Sequence, residues 1–152
     1  ARGAGSTLSR RDPSTSRRRS PVTAVVDASV LVAAAADAGP EGIWAERLVG
    51  NGPLAAPHLV LVEATNILRR LELAQRLTPL EAGSARRDVL HLDIDLLPFE
   101  PFADRIWELR KNLTCYDAWY VAVAEALELP LATLDRRLAS ATGPSCRFLI
   151  PT

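Results

Sequence analysis

The stretch at residues 22–36, VTAVVDASVLVAAAA, is an apolar run of fifteen residues with a single acid, Asp27, near its centre. Three arginines precede the run, so a secretory signal peptide is the first interpretation to test. An aspartate in the middle of a membrane-inserting segment costs about 2.5 to 3.5 kcal/mol, and a short alanine-rich run offers little to offset it. The run is therefore predicted to be a buried strand, VTAVVD, followed by a helix. Asp27 then lies at the carboxyl end of a strand, where α/β proteins bind ligands.

Residues 1–20 differ in composition from the rest of the chain. The 152-residue sequence has a formal net charge of zero, yet residues 1–20 carry a net charge of +5 and residues 21–152 a net charge of −5. The first segment is rich in Arg and Ser and has no apolar periodicity, so it is predicted to be disordered; part of it is also compatible with vector-derived sequence. Residues 21–152 are predicted to form one domain, because that length supports one well-buried core.

Two cysteines and the hydropathy pattern bear on the compartment. Cys115 and Cys146 form neither a metal-type spacing nor a disulfide framework, which favours a reducing, cytoplasmic environment. No run of eighteen apolar residues occurs in the sequence, so no membrane span is expected.

Predicted strands alternate with predicted helices along residues 21–152. Helices are expected at 29–38, 40–50, 58–75, 79–92, 101–113, 116–129 and 136–142, and strands at 22–27, 53–57, 92–99, 131–135 and 146–150. Thr78 and Glu81 have the spacing of a capping box. This order predicts an α/β fold in which a parallel sheet has helices on both faces.

Four acids lie among mainly apolar neighbours, each in a different predicted element. Asp27 and Asp135 end strands, so in a parallel sheet both lie along the carboxyl edge. Glu63 falls on the apolar stripe of its helix. Asp117 falls in the first turn of an apolar helix, where the helix dipole favours negative charge. Each acid alone has an ordinary explanation as a cap, a surface group or an ion-pair partner, but the set of four indicates a shared site.

Carboxylates in apolar surroundings need a counter-charge, and the sequence offers one lysine, Lys111. They otherwise take up protons or bind a metal ion. Oxygen-only clusters suit Mg²⁺ or Mn²⁺, hard ions that can activate water against a phosphodiester. Zinc is not favoured, because it requires closely spaced His or Cys, and the two histidines and two cysteines are scattered singly: His58, His91, Cys115 and Cys146.

Four stretches carry these acids in order: VVDASVLVAAA, VEATNILRR, YDAWYVAVAEAL and LATLDRRLA. Together they resemble the motifs of the PIN-domain ribonucleases, and most closely the VapC-type toxins of bacterial toxin-antitoxin (VapBC) pairs. A strand that ends in Asp is common, but four such motifs in this order form a specific signal. The resemblance spans residues 22 to about 139 and shows no departure at the four acids.

The resemblance implies a three-layer α/β/α PIN-like fold with a central parallel sheet. It also implies RNA endonuclease activity that depends on Mg²⁺, with Mn²⁺ as a substitute, together with a homodimer and a cognate VapB-type antitoxin. Carried over by motif, Asp27 and Asp117 would be the principal metal ligands, and Glu63 and Asp135 would complete the catalytic pocket through water. Polar support would come from two further residues, Ser29 and Thr133.

An acidic domain that cleaves RNA needs local positive charge near its site. Two arginine pairs follow the acids and are candidates for contacting phosphate: Arg69 and Arg70, and Arg136 and Arg137. Either pair is also compatible with a solvated helix face. Trp44 is a candidate for lining an antitoxin groove, although tryptophans more often belong to the core.

Two other functional classes fit a strand that ends in Asp27. An aspartyl-phosphate phosphatase would place a second acid two residues later, where this chain has Ser29. A receiver-like signalling domain, or another Mg²⁺-binding interaction domain without catalysis, would place a lysine at a later strand end. Lys111 instead falls in a predicted helix. The sequence therefore favours the ribonuclease over both alternatives.

Overall fold

Five parallel strands form one sheet in the computed structural model, which describes residues 20–152. The order across the sheet is β3-β2-β1-β4-β5. The strands are β1 (Ala24–Val26), β2 (Leu54–Pro57), β3 (Ile94–Leu97), β4 (Leu131–Ala132) and β5 (Phe148–Leu149). The predicted disorder of residues 1–20 concerns a segment that lies, except for Ser20, outside the described residues.

Helices cover both faces of the sheet. They are α1 (Ala28–Ala36), α2 (Pro40–Gly50), α3 (Leu59–Leu73), α4 (Pro79–His91), α5 (Ala103–Glu108), α6 (Cys115–Leu127) and α7 (Arg136–Ala139). α1 packs against α2, α3 and α4, while α6 packs against α5, β1 and β2. The predicted three-layer α/β/α architecture with a central parallel sheet is confirmed.

The local signals in the sequence explain several helix boundaries. The side chain of Asp27 accepts a hydrogen bond from the Val30 amide and so caps α1. α2 begins at Pro40 and ends at Gly50, as predicted. α4 begins with the predicted capping box, in which Thr78 and Glu81 each accept a hydrogen bond from the other's backbone amide.

Several predicted elements were wrong in extent, including the strands predicted over 92–99 and 146–150, which are the shorter β3 and β5. The single helix predicted over 101–113 is α5 flanked by two 3₁₀ turns, Glu100–Phe102 and Leu109–Lys111. Ile106 and Leu109, three residues apart, are both buried, and a 3₁₀ turn places residues at that spacing on one side. The helix predicted over 136–142 is the four-residue α7, and the strand predicted over 131–135 stops at Ala132.

The core is built from β1, β4 and the helices that cover them. Val25, Val26 and Leu131 in these strands are fully buried, as is Val121 of α6. Strands that are covered on both faces lack polar alternation, which is why VTAVV is continuously apolar. Within residues 20–152 no helix has both the length and the apolarity needed to cross a membrane.

Candidate active site

Asp27 lies where β1 and β4 end side by side. Val26 pairs with Ala132, so the next residues along the two strands, Asp27 and Thr133, are neighbours at the carboxyl edge. The Thr133 hydroxyl donates a hydrogen bond to Asp27 Oδ2. The Ser29 hydroxyl donates to Asp27 Oδ1 at 2.5 Å and accepts from the Leu134 amide at 3.1 Å. Both residues predicted as polar support therefore contact Asp27, whose side chain is only 9% exposed.

Asp135 does not end a strand, contrary to the sequence prediction. Thr133 occupies the position equivalent to Asp27, and Asp135 follows two residues later as the N-cap of α7. Its Oδ1 accepts hydrogen bonds from the Arg137 and Leu138 amides. The prediction missed the strand end because the alternation in LATLD continues past the last paired residue. Asp135 is consequently exposed.

Asp117 lies in the first turn of α6 but does not cap the helix. The N-cap is Thr114, whose hydroxyl accepts a hydrogen bond from the Asp117 amide at 3.2 Å. Capping therefore does not account for the Asp117 carboxylate, which is half-buried. Glu63 of α3 is also half-buried, and its Oε1 accepts a hydrogen bond from the Tyr120 hydroxyl of α6 at 2.8 Å.

The four acids affect one another electrostatically. Burial raises the pKa of Asp27 above its usual range, and the hydrogen bonds from Ser29, Thr133 and Val30 offset this only in part. Burial is also the main cause of the raised pKa of Glu63, and the negative charges of Asp117 and Asp27 add to it.

The negative charge of Asp135 also acts on Asp117. Burial, followed by the negative charge of Asp135, raises the pKa of Asp117. The acids thus repel one another across a half-buried site, which favours binding of a proton or a cation.

Comparison with known proteins identifies the family of the chain. The sequence profile of the PIN domain family matches residues 24–144. The chain is a PIN domain. It is 39% identical over 125 residues to Ribonuclease VapC1 of Mycobacterium tuberculosis, an alignment that covers 82% of this chain and 94% of the relative. This places it with the VapC group.

Two solved structures are similar to this PIN domain. PAE2754 from Pyrobaculum aerophilum has a TM-score of 0.62 at 28% identity, and the match covers 84% of this chain and 83% of that one. VapBC2 from Rickettsia felis, solved with a DNA fragment from its promoter, has a TM-score of 0.55 at 15% identity. The match covers 85% of this chain and 98% of that one. At 15% identity, the similarity to VapBC2 shows a shared fold.

The donor chemistry of the PIN domain suits a hard divalent cation that keeps much of its water. All four candidate ligands are carboxylates, and Mg²⁺ is commonly bound through one or two of them. Among residues 20–152, no three Asp, Glu, His or Cys side chains converge closely enough to enclose a metal ion by themselves. The carboxylate donor set therefore fits a hard cation whose remaining ligands are water.

The four arginine candidates lie on two helices, α3 and α7. Arg69 and Arg70 are exposed on α3, and Arg137 is exposed on α7. Arg136 donates a hydrogen bond from Nη2 to the Pro151 carbonyl at 3.1 Å. In the described part of the chain none of the four forms an ion pair with an acid of the site.

One residue that contacts the site of the PIN domain was missed by the sequence analysis. Tyr120 lies three residues after Asp117, one helical turn along α6, so its hydroxyl projects toward the same side as Asp117. That spacing was the available signal, but the apolar character of the helix made Tyr120 look like an ordinary core residue. Burial, followed by the negative charge of Glu63, raises the pKa of Tyr120 far above its usual value, so its hydroxyl remains a donor.

Proposed function

We propose that this PIN domain is a metal-dependent endoribonuclease, the toxin of a type II toxin-antitoxin system that acts in the cytoplasm. The observation that carries the proposal is the set of contacts and charges that link the acids. The Thr133 hydroxyl contacts the Asp27 carboxylate and the Asp135 amide, Tyr120 of α6 contacts Glu63, and the negative charges of the acids act on Glu63 and Asp117. The relationship to VapC1, which is named a ribonuclease, supports RNA as the substrate.

The four acids have two roles in the proposed reaction. Asp27 and Asp117 bind Mg²⁺, or Mn²⁺ in its place, and Glu63 and Asp135 hold water around the ion. When bound, the metal lowers the pKa of a water molecule and stabilises negative charge on the phosphate. Ser29 and Thr133 fix the Asp27 carboxylate by donating to its two oxygens. Because water is the nucleophile, no covalent enzyme intermediate is required.

A toxin active in its own cytoplasm requires an inhibitor, and we assign this role to a VapB-type antitoxin. A groove of about 370 Å³ begins at Ser29 and runs between α1 and α3, with Val32, Ile67 and Leu71 among its apolar lining. An amphipathic antitoxin segment suits such a groove, and a basic side chain at its end would pair with the carboxylates. Trp44, the predicted anchor, lies instead beside Arg136 in a separate pocket.

The same assignment includes a homodimer. Val62 and Leu73 on α3 and Leu80 on α4 are large apolar side chains that are more than half exposed. Exposed apolar side chains are common at protein interfaces, so these residues are candidates for contact with a second copy. Sedimentation of the purified protein at several concentrations measures whether the dimer forms.

Incubation of purified protein with total RNA tests the function. We expect cleavage in Mg²⁺ or Mn²⁺ that stops when EDTA is added, and sequencing the new 5′ ends would identify the target. Asp27→Asn should keep the fold and lose about a hundredfold or more in rate, because the amide is nearly isosteric but a poorer ligand for a hard cation. Asp88→Asn, an exposed acid on α4, is the matched control and should cleave normally. Full activity of Asp27→Asn, or cleavage that persists in EDTA, would contradict the proposal.

A further inference from the structure

Tyr120 joins the core of the domain to the acidic site. Its side chain is only 2% exposed, and its hydroxyl contacts Glu63 Oε1 at 2.8 Å. The two residues are 57 positions apart in the chain, so the contact links α6 to α3. The ring of Tyr120 packs in the core while its hydroxyl alone reaches a carboxylate of the site.

This hydrogen bond fixes a side chain that would otherwise have several conformations. Glutamate has three rotatable side-chain bonds, and restricting them costs conformational entropy. Tyr120 is already held by its packing, so it offers a rigid donor. In the described part of the chain no second hydrogen bond to the Glu63 carboxylate is seen. Oε2 is therefore free to accept from water or to approach a cation.

The alternative is that Glu63 merely satisfies a buried hydroxyl group. Two features favour a role in the site instead. The Glu63 carboxylate lies within the electrostatic influence of Asp27 and Asp117, whose negative charges repel it. Without an anchor, repulsion and the gain in hydration would both favour a conformation turned toward solvent. A donor at Oε1 opposes that movement and keeps the carboxylate beside the other acids.

We propose that Tyr120 is a positioning residue that holds Glu63 beside Asp27 and Asp117, where Glu63 strengthens divalent-cation binding. The proposal rests on the function proposed above, in which this cluster binds a divalent ion. Phenylalanine at position 120 would fill the same volume in the core, so the contribution of the hydroxyl can be separated from that of the ring.

The test is a Mn²⁺ titration of the full chain by electron paramagnetic resonance, with no RNA present. We expect Tyr120→Phe to weaken Mn²⁺ binding about tenfold, in the range found when outer partners of metal ligands are removed. RNA cleavage by this variant should fall at low Mn²⁺ and recover at high Mn²⁺, while the KM for RNA is unchanged. Tyr116→Phe is the matched control, because Tyr116 lies on the same helix but is 64% exposed; it should bind Mn²⁺ like the wild type.

A double-mutant cycle with Glu63→Gln separates positioning from packing. If Tyr120 acts through Glu63, Tyr120→Phe should change Mn²⁺ affinity little once Glu63→Gln is present. Equal weakening in both backgrounds would overturn the inference, as would an unchanged affinity in the single variant. Loss of folding by Tyr120→Phe in circular dichroism would also overturn it by showing a structural role. A wild type that binds Mn²⁺ but has no ribonuclease activity would count against the proposed function and leave the positioning role intact.

Discussion

Thr133 is fully buried, and its hydroxyl is used twice. It donates to Asp27 Oδ2 and accepts from the Asp135 amide at 2.9 Å, so it couples the two acids. Thr133→Val keeps the shape and removes the hydroxyl, which leaves both partners short of a hydrogen bond. We expect the cleavage rate to fall about tenfold, in the range found when partners of metal ligands are lost. Thr133→Ser keeps the hydroxyl and should retain most activity, so equal rates for Val and Ser would contradict this role.

The raised pKa values of Asp27, Glu63 and Asp117 predict how pH affects the metal-free protein. The folded state binds these protons more tightly than the unfolded chain does. The resulting stability is fully present below the unfolded pKa, at about 4, and is lost as pH rises through the folded values. In EDTA, the melting temperature of Asp27→Asn should therefore rise relative to that of the wild type as pH increases above about 4.

Comparison of the two proteins removes the effect of other groups. Burial alone would raise the pKa of Glu125, but hydrogen bonds from Arg105 and Ser145 lower it. The contribution of Glu125 to stability therefore has the opposite pH dependence. This contribution is the same in both proteins, so it cancels in the comparison. If the difference in melting temperature between Asp27→Asn and the wild type stayed constant as pH rises, ionisation of Asp27 would not destabilise the folded protein.

At this scale the four acids were singled out by residue type and by position next to apolar runs, whereas Ser29 and Thr133 were expected from the resemblance to PIN domains. The structure shows both hydroxyls bound to Asp27, and the catalytic roles stay predictions. Tyr120 was not predicted, because its partner Glu63 is 57 residues away and the spacing of Tyr120 from Asp117 does not identify that partner. Thr133 was expected only as polar support, since its pairing with Asp27 depends on strand register.

At the scale of elements, Gly42 in the first turn of α2 lies close against the backbone of Asp37, the C-cap of α1. A Cβ atom at this position would lie 1.7 Å from the backbone oxygen of Asp37, which no side-chain movement can relieve. We expect Gly42→Ala to lower the free energy of unfolding by about 2 to 3 kcal/mol, through forced displacement of α2 from α1. Thermal melting should show a drop of roughly 5 to 10 °C.

Gly83 in α4 is the matched control for this substitution. An added Cβ there would meet no atom within 4 Å, so Gly83→Ala should stabilise the protein by up to about 1 kcal/mol through helix propensity. Equal effects of the two substitutions would show that the close approach of α1 and α2 is not maintained in solution.

Helix starts were predicted more accurately than helix and strand ends. Pro40, Thr78 and Glu81 are local signals that act within one turn, and the structure follows them. The ends of β4 and α7 depend on what lies beside them in the sheet and the core. Glu128, in the left-handed conformation at φ 53°, ends α6 before the end predicted at residue 129.

At the scale of the whole molecule, the charge is divided between residues 1–20 and the domain. The first segment is net +5 and contains few apolar residues, so it has little surface to bury against the domain. Deletion of residues 1–20 should leave the melting temperature within about 2 °C of the full chain and the dimerisation constant unchanged. Calorimetry and sedimentation measure both quantities. A large loss in either would show that the segment packs on the domain.

The sheet order also determines what happens when the chain is divided. Residues 20–92 carry β1 and β2 with Asp27 and Glu63, and residues 93–152 carry the other three strands with Asp117 and Asp135. In the order β3-β2-β1-β4-β5, the strands of the second fragment lie on both sides of those of the first. Without β1 and β2 in place, β3 has no neighbour to pair with and cannot join β4. A chain cut in the turn before β3 would therefore give two fragments that each hold half of the acids. Any nuclease activity would then show that the two fragments had reassociated.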